Sequence, residues 1–511
     1  MNRIVALIIS VLTLAYSETY PKLLWTRTEN GTPYGYVSLV SVKSIVDSQN
    51  NLYVTGYAQS DTSYDDIFII KYASDGAQQW IKFYNIYNVT CRPYSISVDT
   101  SLNVYITGHT YNNSTCVSSN LTIKYDINGN LDWLSNYENS LSFINSDICV
   151  DDSGNVYLLC CSYDSTNQVR KMIIKYDLNG HLKWNIYSDF GTGINSIRIM
   201  DSSKIICHFG NTIFKYNSLG QKLWESHKDT LNDNIIMKID AADNIYLLGC
   251  WINPQVALIK YSSAGLLLWT TIIDSINSNE SISLDVDSSG NSYISGTAAY
   301  SWKGTAIKVG TNGNVIWRNS YIDYGANEYC PESICYDKDG SVFVVGTSRF
   351  SGGRKIIILM YDSTGVQSGT VRIDNLLVDP VLLTKNRSYL YLISNEYISS
   401  YIYQVNIMCF DQYGSDILSP VEIPGIFILY PNYPNPFNSS TGIRYEIQRP
   451  GNVKIKILDI LGKSIETIEN TYKESGRYLV HWNATKYSSG IYFIQIEVDN
   501  SSQSMKCLLL K

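Results

Sequence analysis

The sequence predicts an all-β protein: a β-propeller of seven or eight blades, eight preferred, followed by a small immunoglobulin-like β-sandwich. Three observations carry that prediction. A strand-and-turn unit recurs along most of the chain. The composition holds 42 tyrosines and only 17% charged residues, and Tyr packs well on a pleated surface while keeping its hydroxyl wet. Near residue 424 the repeat stops among prolines and a different strand pattern begins.

The repeat has two halves. The first is an Asp, a turn and a short apolar strand ending in Gly, as in VDSQNNLYVTG, VDTSLNVYITG and VDSSGNSYISG. Its Asp residues are Asp47, Asp99, Asp151, Asp201, Asp240, Asp287 and Asp337. Nine positions later stand Gly56, Gly108, Cys160, Gly210, Gly249, Gly296 and Gly346, with Cys160 the one departure. An eighth, worn copy, LTKNRSYLYLIS, ends at Ser394. The second half reads like TIKYDINGNLDW: a strand, a Gly turn and a Trp four residues on. The Trp residues are Trp80, Trp133, Trp184, Trp224, Trp269 and Trp317; Gly365 and Gly414 persist where the Trp is lost.

Asp caps such turns through its side chain and Gly supplies positive φ. Runs such as VYITG and FIIKY are too short for helices, and their nearly continuous apolarity predicts sheets buried on both faces. Successive Trp residues lie 40–53 positions apart, the length of a four-stranded propeller blade. KLLWTRT, with Trp25, precedes the first copy and has outer-strand character. It is expected to pair with the last blade and close the ring, which removes a free sheet edge.

The N-terminus, MNRIVALIISVLTLAYSETYP, has a basic Arg3, a short apolar run from Ile4 to Ala15 and a small-x-small site at Ala15-Tyr16-Ser17. These are the parts of a signal peptide, too short to span a bilayer. No later apolar run is long enough to cross one. The expected layout is 1–17 signal peptide, 18–420 propeller, 421–428 linker and 429–511 C-terminal domain. Net charge is −7 without a basic run, which argues against nucleic acid. The 11 cysteines form no CxxC or even framework. Cys149, Cys160, Cys161, Cys207 and Cys250 lie in apolar strands and read as core thiols. Cys91 with Cys116 and Cys330 with Cys335 are candidate pairs that spacing leaves open.

No catalytic, cofactor-binding or metal residues are assigned. DKDG at 337–340 and DDSGN at 151–155 lack the distal acid of a calcium loop and read as hairpin turns. The five histidines (His109, His181, His208, His227, His481) lack metal-pair spacing. No HExxH, GxSxG or P-loop occurs.

The units resemble the bacterial beta-propeller repeat family, with its GNVYVTG-like strand, over residues 40–415. Asp126–Trp133 and Asp177–Trp184 also resemble the Trp-docking repeat of quinoprotein propellers. Some quinoprotein dehydrogenases carry an adjacent-cysteine disulfide beside the cofactor; here Cys160 and Cys161 should point to opposite faces of a strand.

Five of the 12 prolines (Pro420, Pro424, Pro431, Pro434, Pro436) cluster ahead of the last eighty or so residues. They predict a stiff lead-in that joins neither neighbouring sheet. Strands are expected at 443–447, 452–460, 464–469, 476–482, 490–498 and 504–510. This region resembles the C-terminal sorting domain of type IX (Por) secretion cargo of Bacteroidetes-type bacteria. The matching positions are Tyr433, Pro434, Asn435, Pro436, Phe437 and Asn438, then Gly462, Gly490 and the terminal Lys511. Asn438-Ser439-Ser440 departs from the commoner N-P-S/T. The resemblance implies passage through the periplasm and the type IX machinery across the outer membrane, to the cell surface or the medium. The sequence reading is a non-enzymatic binding or scaffold propeller, without cofactor, that meets a surface polymer, glycan or protein through Tyr- and Asn-rich rim loops. The alternative is a quinoprotein-like oxidoreductase or a hydrolase with carboxylates at the channel mouth.

Overall fold

A computed structural model describes residues 22–510, except 60–63, 138–142, 164–168, 189–195, 201–203, 210–211, 228–230, 232–234, 251–254, 277–280, 299–302, 323–325, 338–339, 351–352, 377, 386–388, 400–401, 412–426, 430–431, 433, 448–449, 460–462, 475 and 499–500. The signal-peptide segment and the Pro420 and Pro424 lead-in lie outside the described residues. The chain divides into two compact units between residues 417 and 418.

In the first unit the described residues form eight four-stranded antiparallel sheets. Blade one shows the pattern: Ser38–Val46, Leu52–Gln59, Asp65–Tyr72 and Gln78–Tyr84, each strand paired with the next. Blades two to seven repeat it over 89–137, 143–188, 197–227, 236–273, 282–321 and 328–376. Blade eight takes Val378–Lys385, Tyr389–Ser399 and Ile402–Asp411 from the end of the repeat and Lys22–Glu29 from the start of the chain. The first strand therefore closes the ring, as KLLWTRT predicts.

The apolar runs are continuous because side chains alternate between two neighbouring blades. Leu52 and Val54 pack towards blade eight against Tyr391, Ile393 and Ile407. Tyr53, between them, packs towards blade two with Ile96, Val104 and Ile123. One such cluster of buried residues fills each of the eight contacts between successive blades.

Sequence reading put the repeat Gly at a strand end. The structure carries the strand on past it, to Gln59 after Gly56 and to Asn112 after Gly108. The innermost strand bulges opposite this position in blades one, two and seven. There a Cβ on Gly56, Gly108 or Gly346 would strike the carbonyl oxygen of Val40, Arg92 or Cys330. Close backbone approach, not turn geometry, selects glycine. Gly210 lies outside the described residues. The repeat tyrosines also differ from expectation: Tyr53, Tyr105, Tyr157, Tyr246 and Tyr293 are buried.

Each Trp of an outer strand lies on a turn glycine of the following blade. Trp25 meets Gly76, Trp80 meets Gly129, Trp133 meets Gly180, Trp184 meets Gly220, Trp224 meets Gly265, Trp269 meets Gly313 and Trp317 meets Gly365. All seven glycines have φ between +78° and +88°. The indole N–H donates to a carbonyl of the same turn: Trp25 to Ser74 at 2.9 Å, Trp80 to Ile127 at 3.1 Å, Trp133 to Leu178 at 3.0 Å and Trp269 to Thr311 at 2.8 Å. Buried lysines of the IKY strands reach the same turns; Lys71 donates to Ile127 and Lys175 to Ser218.

The second unit packs a three-stranded sheet (Phe427–Leu429, Ser440–Ile447, Gly476–Asn483) with a four-stranded one (Gly451–Leu458, Ser464–Lys473, Gly490–Val498, Ser501–Leu509). Their inner faces share a core of Ile443, Tyr445, Val453, Ile455, Trp482, Ile494 and Leu509.

Gly180→Ala should cost more stability than Gly35→Ala. Both residues have positive φ, and an Ala there costs about 1–2 kcal/mol of backbone strain. Only at Gly180 would the new Cβ also meet an indole, 2.6 Å from Trp133; nothing lies within 4 Å at Gly35. Thermal denaturation of the two variants checks the difference; equal losses would show that Trp docking adds nothing.

Candidate functional site: the propeller ring and the C-terminal motif

The repeated Asp residues are turn caps. Asp47 Oδ1 accepts the Gln49 and Asn51 N–H groups, and its Oδ2 accepts Asn51 Nδ2 at 2.8 Å and the Tyr53 hydroxyl at 3.2 Å. Asp99, Asp151, Asp240 and Asp287 repeat the set, with Tyr hydroxyls at 2.9–3.0 Å. Asp337 heads the equivalent turn, bonded through its backbone to Ser341 and Gly340. Asp201 lies outside the described residues. The carboxylates of Asp47, Asp99, Asp151, Asp240 and Asp287 are satisfied by protein donors, the chemistry of a cap rather than of a cation loop. Among the described residues no cluster of His, Cys, Asp or Glu has the arrangement of a metal site.

Two carboxylates on inner strands do something that spacing did not reveal. Asp147 of blade three accepts from the Ser95 hydroxyl of blade two at 2.8 Å and from the Ile197 N–H and Arg198 Nη1 of blade four at 3.1 and 2.6 Å. Asp285 of blade six lies 3.5 Å from Lys238 of blade five and 3.2 Å from Lys385 of blade eight, and accepts the Tyr336 N–H of blade seven. Lys385 stands six residues before Tyr391, where the other copies carry their Asp. Comparing inner strands position by position would have exposed these acids, since the other copies carry Lys, Ser, Cys or apolar residues there.

Burial alone would raise the Asp147 carboxyl. The Arg198 guanidinium, the Ile197 N–H and the Ser95 hydroxyl outweigh it and hold the group below its ordinary value.

The end of the propeller opposite the Asp turns, here the upper face, carries a mixed cluster between blades one and two. Asp65 and Asp66 begin the third strand of blade one and are buried. Arg92 Nε bonds Asp65 at 2.5 Å, and its guanidinium lies over the Tyr57 ring at 4.7 Å. Asp66 accepts the Tyr36 hydroxyl at 2.8 Å, and His109 stacks on Tyr94 at 5.1 Å. Burial, with Asp65 nearby, raises the Asp66 carboxyl although the Tyr36 bond opposes it. Burial and Arg92 lower His109. Sequence reading missed this cluster; adjacent acids opening a β-run at 65–66 were its one visible sign.

Cys160 packs with Tyr105, Met172 and Ile174, its thiol 3.7 Å from the Met172 carbonyl, and Cys161 is buried beside it in the strand. Both are free thiols. The candidate bridges are not present. Cys330 and Cys335 are five positions apart on one strand, farther than a disulfide spans. Cys91 is buried while Cys116 is exposed on the 113–116 turn.

In the C-terminal unit, sequence-distant motif residues converge. Asn435 Oδ1 accepts the Leu508 N–H at 2.9 Å. The Asn435–Pro436 peptide is cis. Phe437 donates its N–H to Leu508 O, accepts from Leu510 N, and forms a parallel bridge with Leu509. Leu509 also pairs with Gly490. The Phe437 ring lies 5.4 Å from Trp482 in the core. Pro434 and Asn438 are exposed; the Pro434 carbonyl accepts from Asn432 and Thr441. Tyr433, Gly462 and Lys511 lie outside the described residues. The lead-in was expected to join neither sheet. Instead Phe437 joins the edge of the last strand, because its buried ring draws its backbone onto Leu509.

The first unit is a β-propeller and the second a β-sandwich. The family model for the secretion system C-terminal sorting domain matches residues 432–510, and that for the beta-propeller repeat matches residues 79–114. The chain is therefore a β-propeller repeat protein with a type IX sorting domain, exported to the cell surface or secreted. Among the described residues no helix is long and apolar enough to cross a membrane. No curated protein matches the chain. Solved structures similar to it include the beta-propeller domain of the Trilobed protease from Pyrococcus furiosus (10% identity, 66% of this chain and 97% of that one, TM-score 0.38). Others are a puromycin hydrolase (11%, 84% and 62%, 0.44) and a protein of unknown function from Dyadobacter fermentans (9%, 64% and 100%, 0.36).

A depressed carboxyl contributes stability above its unfolded value of about 3.9 and loses it as pH falls through the lower folded value. Asp147→Asn should therefore lower stability at neutral pH and flatten the loss of stability below about pH 4. Denaturant titrations at several pH values check this; an unchanged acid limb would remove Asp147 from it. Phe437→Ala should destabilise the sandwich by about 3–5 kcal/mol, read by proteolysis of the C-terminal unit, while exposed Asn438→Ala should be nearly neutral.

Proposed function

We propose that the exported propeller is a non-enzymatic binding or scaffold module, displayed or released by its sorting domain, that meets a surface polymer, glycan or protein through its upper rim. The observation that carries this reading is the use made of the repeated acids. The described repeat carboxylates cap turns, and the inner-strand pair Asp147 and Asp285 links neighbouring blades. These groups act as structural acceptors. The sorting motif, in this reading, is Tyr433, Pro434, Asn435, Pro436, Phe437 and Asn438 with Gly462, Gly490 and Lys511, and the type IX machinery is its partner.

A hydrolase at the channel mouth is the second reading. It draws on Asp65 and Asp66, two acids in unlike surroundings beside Arg92. Wild-type turnover of an oligosaccharide that Asp66→Asn abolishes would favour it, and cofactor absorbance in the purified protein would favour an oxidoreductase.

Deleting residues 429–511 should hold the protein in the periplasm, scored by fractionation and surface proteolysis. Surface delivery of the shortened chain would refute the sorting role.

A further inference from the structure

The upper rim of blades one and two holds exposed aromatic groups on braced loops. Tyr87 is 97% exposed. Its turn is held by a bond from Val89 N to Ile86 O, and by one from Asn113 N to Asn88 O at 3.1 Å. The second of these ties the turn to the 112–117 loop, where Asn112 Oδ1 caps the Ser114 and Thr115 N–H groups. Tyr111 leads into that loop and is 36% exposed. Across blade one, Tyr34 is 37% exposed and its ring lies 5.2 Å from Phe83. Tyr87 and Tyr111 stand on loops already pinned to one another, so little ordering is left to be done when a ligand arrives. Tyrosine offers a flat apolar face with a polar tip and loses little entropy on binding.

We propose that this rim is a binding site for a neutral polysaccharide chain, with Tyr87 and Tyr111 as stacking platforms. Sugar rings present C–H faces to the tyrosines and hydroxyls to the polar groups between them. The polar groups of the rim are Asn88 and Asn113, whose Nδ2 atoms already bond Ser114 and the Asn88 carbonyl, and Arg92, which spends Nε on Asp65 and stays 46% exposed. The charge count selects the class. The charged groups of this cluster are two acids, Asp65 and Asp66, to one base, Arg92. A polyanion is repelled. A protein interface has a continuous apolar core, whereas here Ile86, Tyr87, Tyr111 and Val117 are exposed with Asn88, Asn112, Asn113 and Ser114 among them. The proposal rests on the binding-module reading and gives it a ligand class.

The test uses the full-length exported protein in affinity electrophoresis through gels holding a soluble glucan, a mannan, a xylan or, as the acidic contrast, polygalacturonate. Retardation by at least one neutral polymer is expected, with Tyr87→Ala and Tyr111→Ala each weakening it about tenfold and leaving the melting temperature unchanged. Retardation unaffected by either variant overturns the site. Retardation by polygalacturonate alone, or by none of the four, overturns the ligand class. Capture of a surface protein without polysaccharide retardation overturns it too, and leaves the broader binding reading standing. Polysaccharide cleavage would instead defeat the non-enzymatic reading itself.

Discussion

The first unit depends on one contact made seven times: an indole laid on a glycine whose backbone is left-handed. The geometry explains itself. A residue with φ near +80° has no room for a Cβ when a ring covers it, so only glycine gives both the turn and the flat seat. At Trp25, Trp80, Trp133, Trp184 and Trp269 the indole N–H also closes onto a carbonyl of the same turn. Each blade but the seventh thereby carries the latch for the next. The first described strand is an outer one, so Trp25 latches blade eight to blade one and the two ends of the repeat become a single blade.

The contact between blades seven and eight has no such latch. The outer strand 367–376 contains no Trp. Its place is taken by apolar packing, Phe343, Ile358 and Met360 against Leu390, Met408 and Phe410. The same stretch of ring holds the largest departure from the repeat, Lys385 at the Asp position, drawn to Asp285 and lying over Tyr336. A charge reversed at one copy is tolerated because an opposite charge two blades away meets it.

Much of this was legible in residue order. Asp, Gly and Trp recur because turns, close approaches and docking each admit few residue types. The closing strand was legible because KLLWTRT carried a Trp that its own neighbourhood did not use. The inner-ring carboxylates and the Asp65–Arg92–Tyr57 cluster were not legible. The partners of Asp147 and Arg92 sit on other blades, and the only local sign of the second cluster was the pair of acids at 65–66. The C-terminal motif was readable as a string, but its pieces were not readable as one place.

The sequence by itself determined the blade unit, the ring closure and the export address, and narrowed the blade count to seven or eight. These rest on short-range rules: strand period, turn chemistry and motif order. Tertiary structure alone decided which glycines answer to φ and which to a carbonyl overhead, that the repeat tyrosines are buried donors rather than wet ones, and that Phe437 belongs to the last strand. Those outcomes turn on what stands across a sheet or on the next blade. A neighbour brought there by ring closure is set by geometry in three dimensions, and a linear pattern holds no record of it.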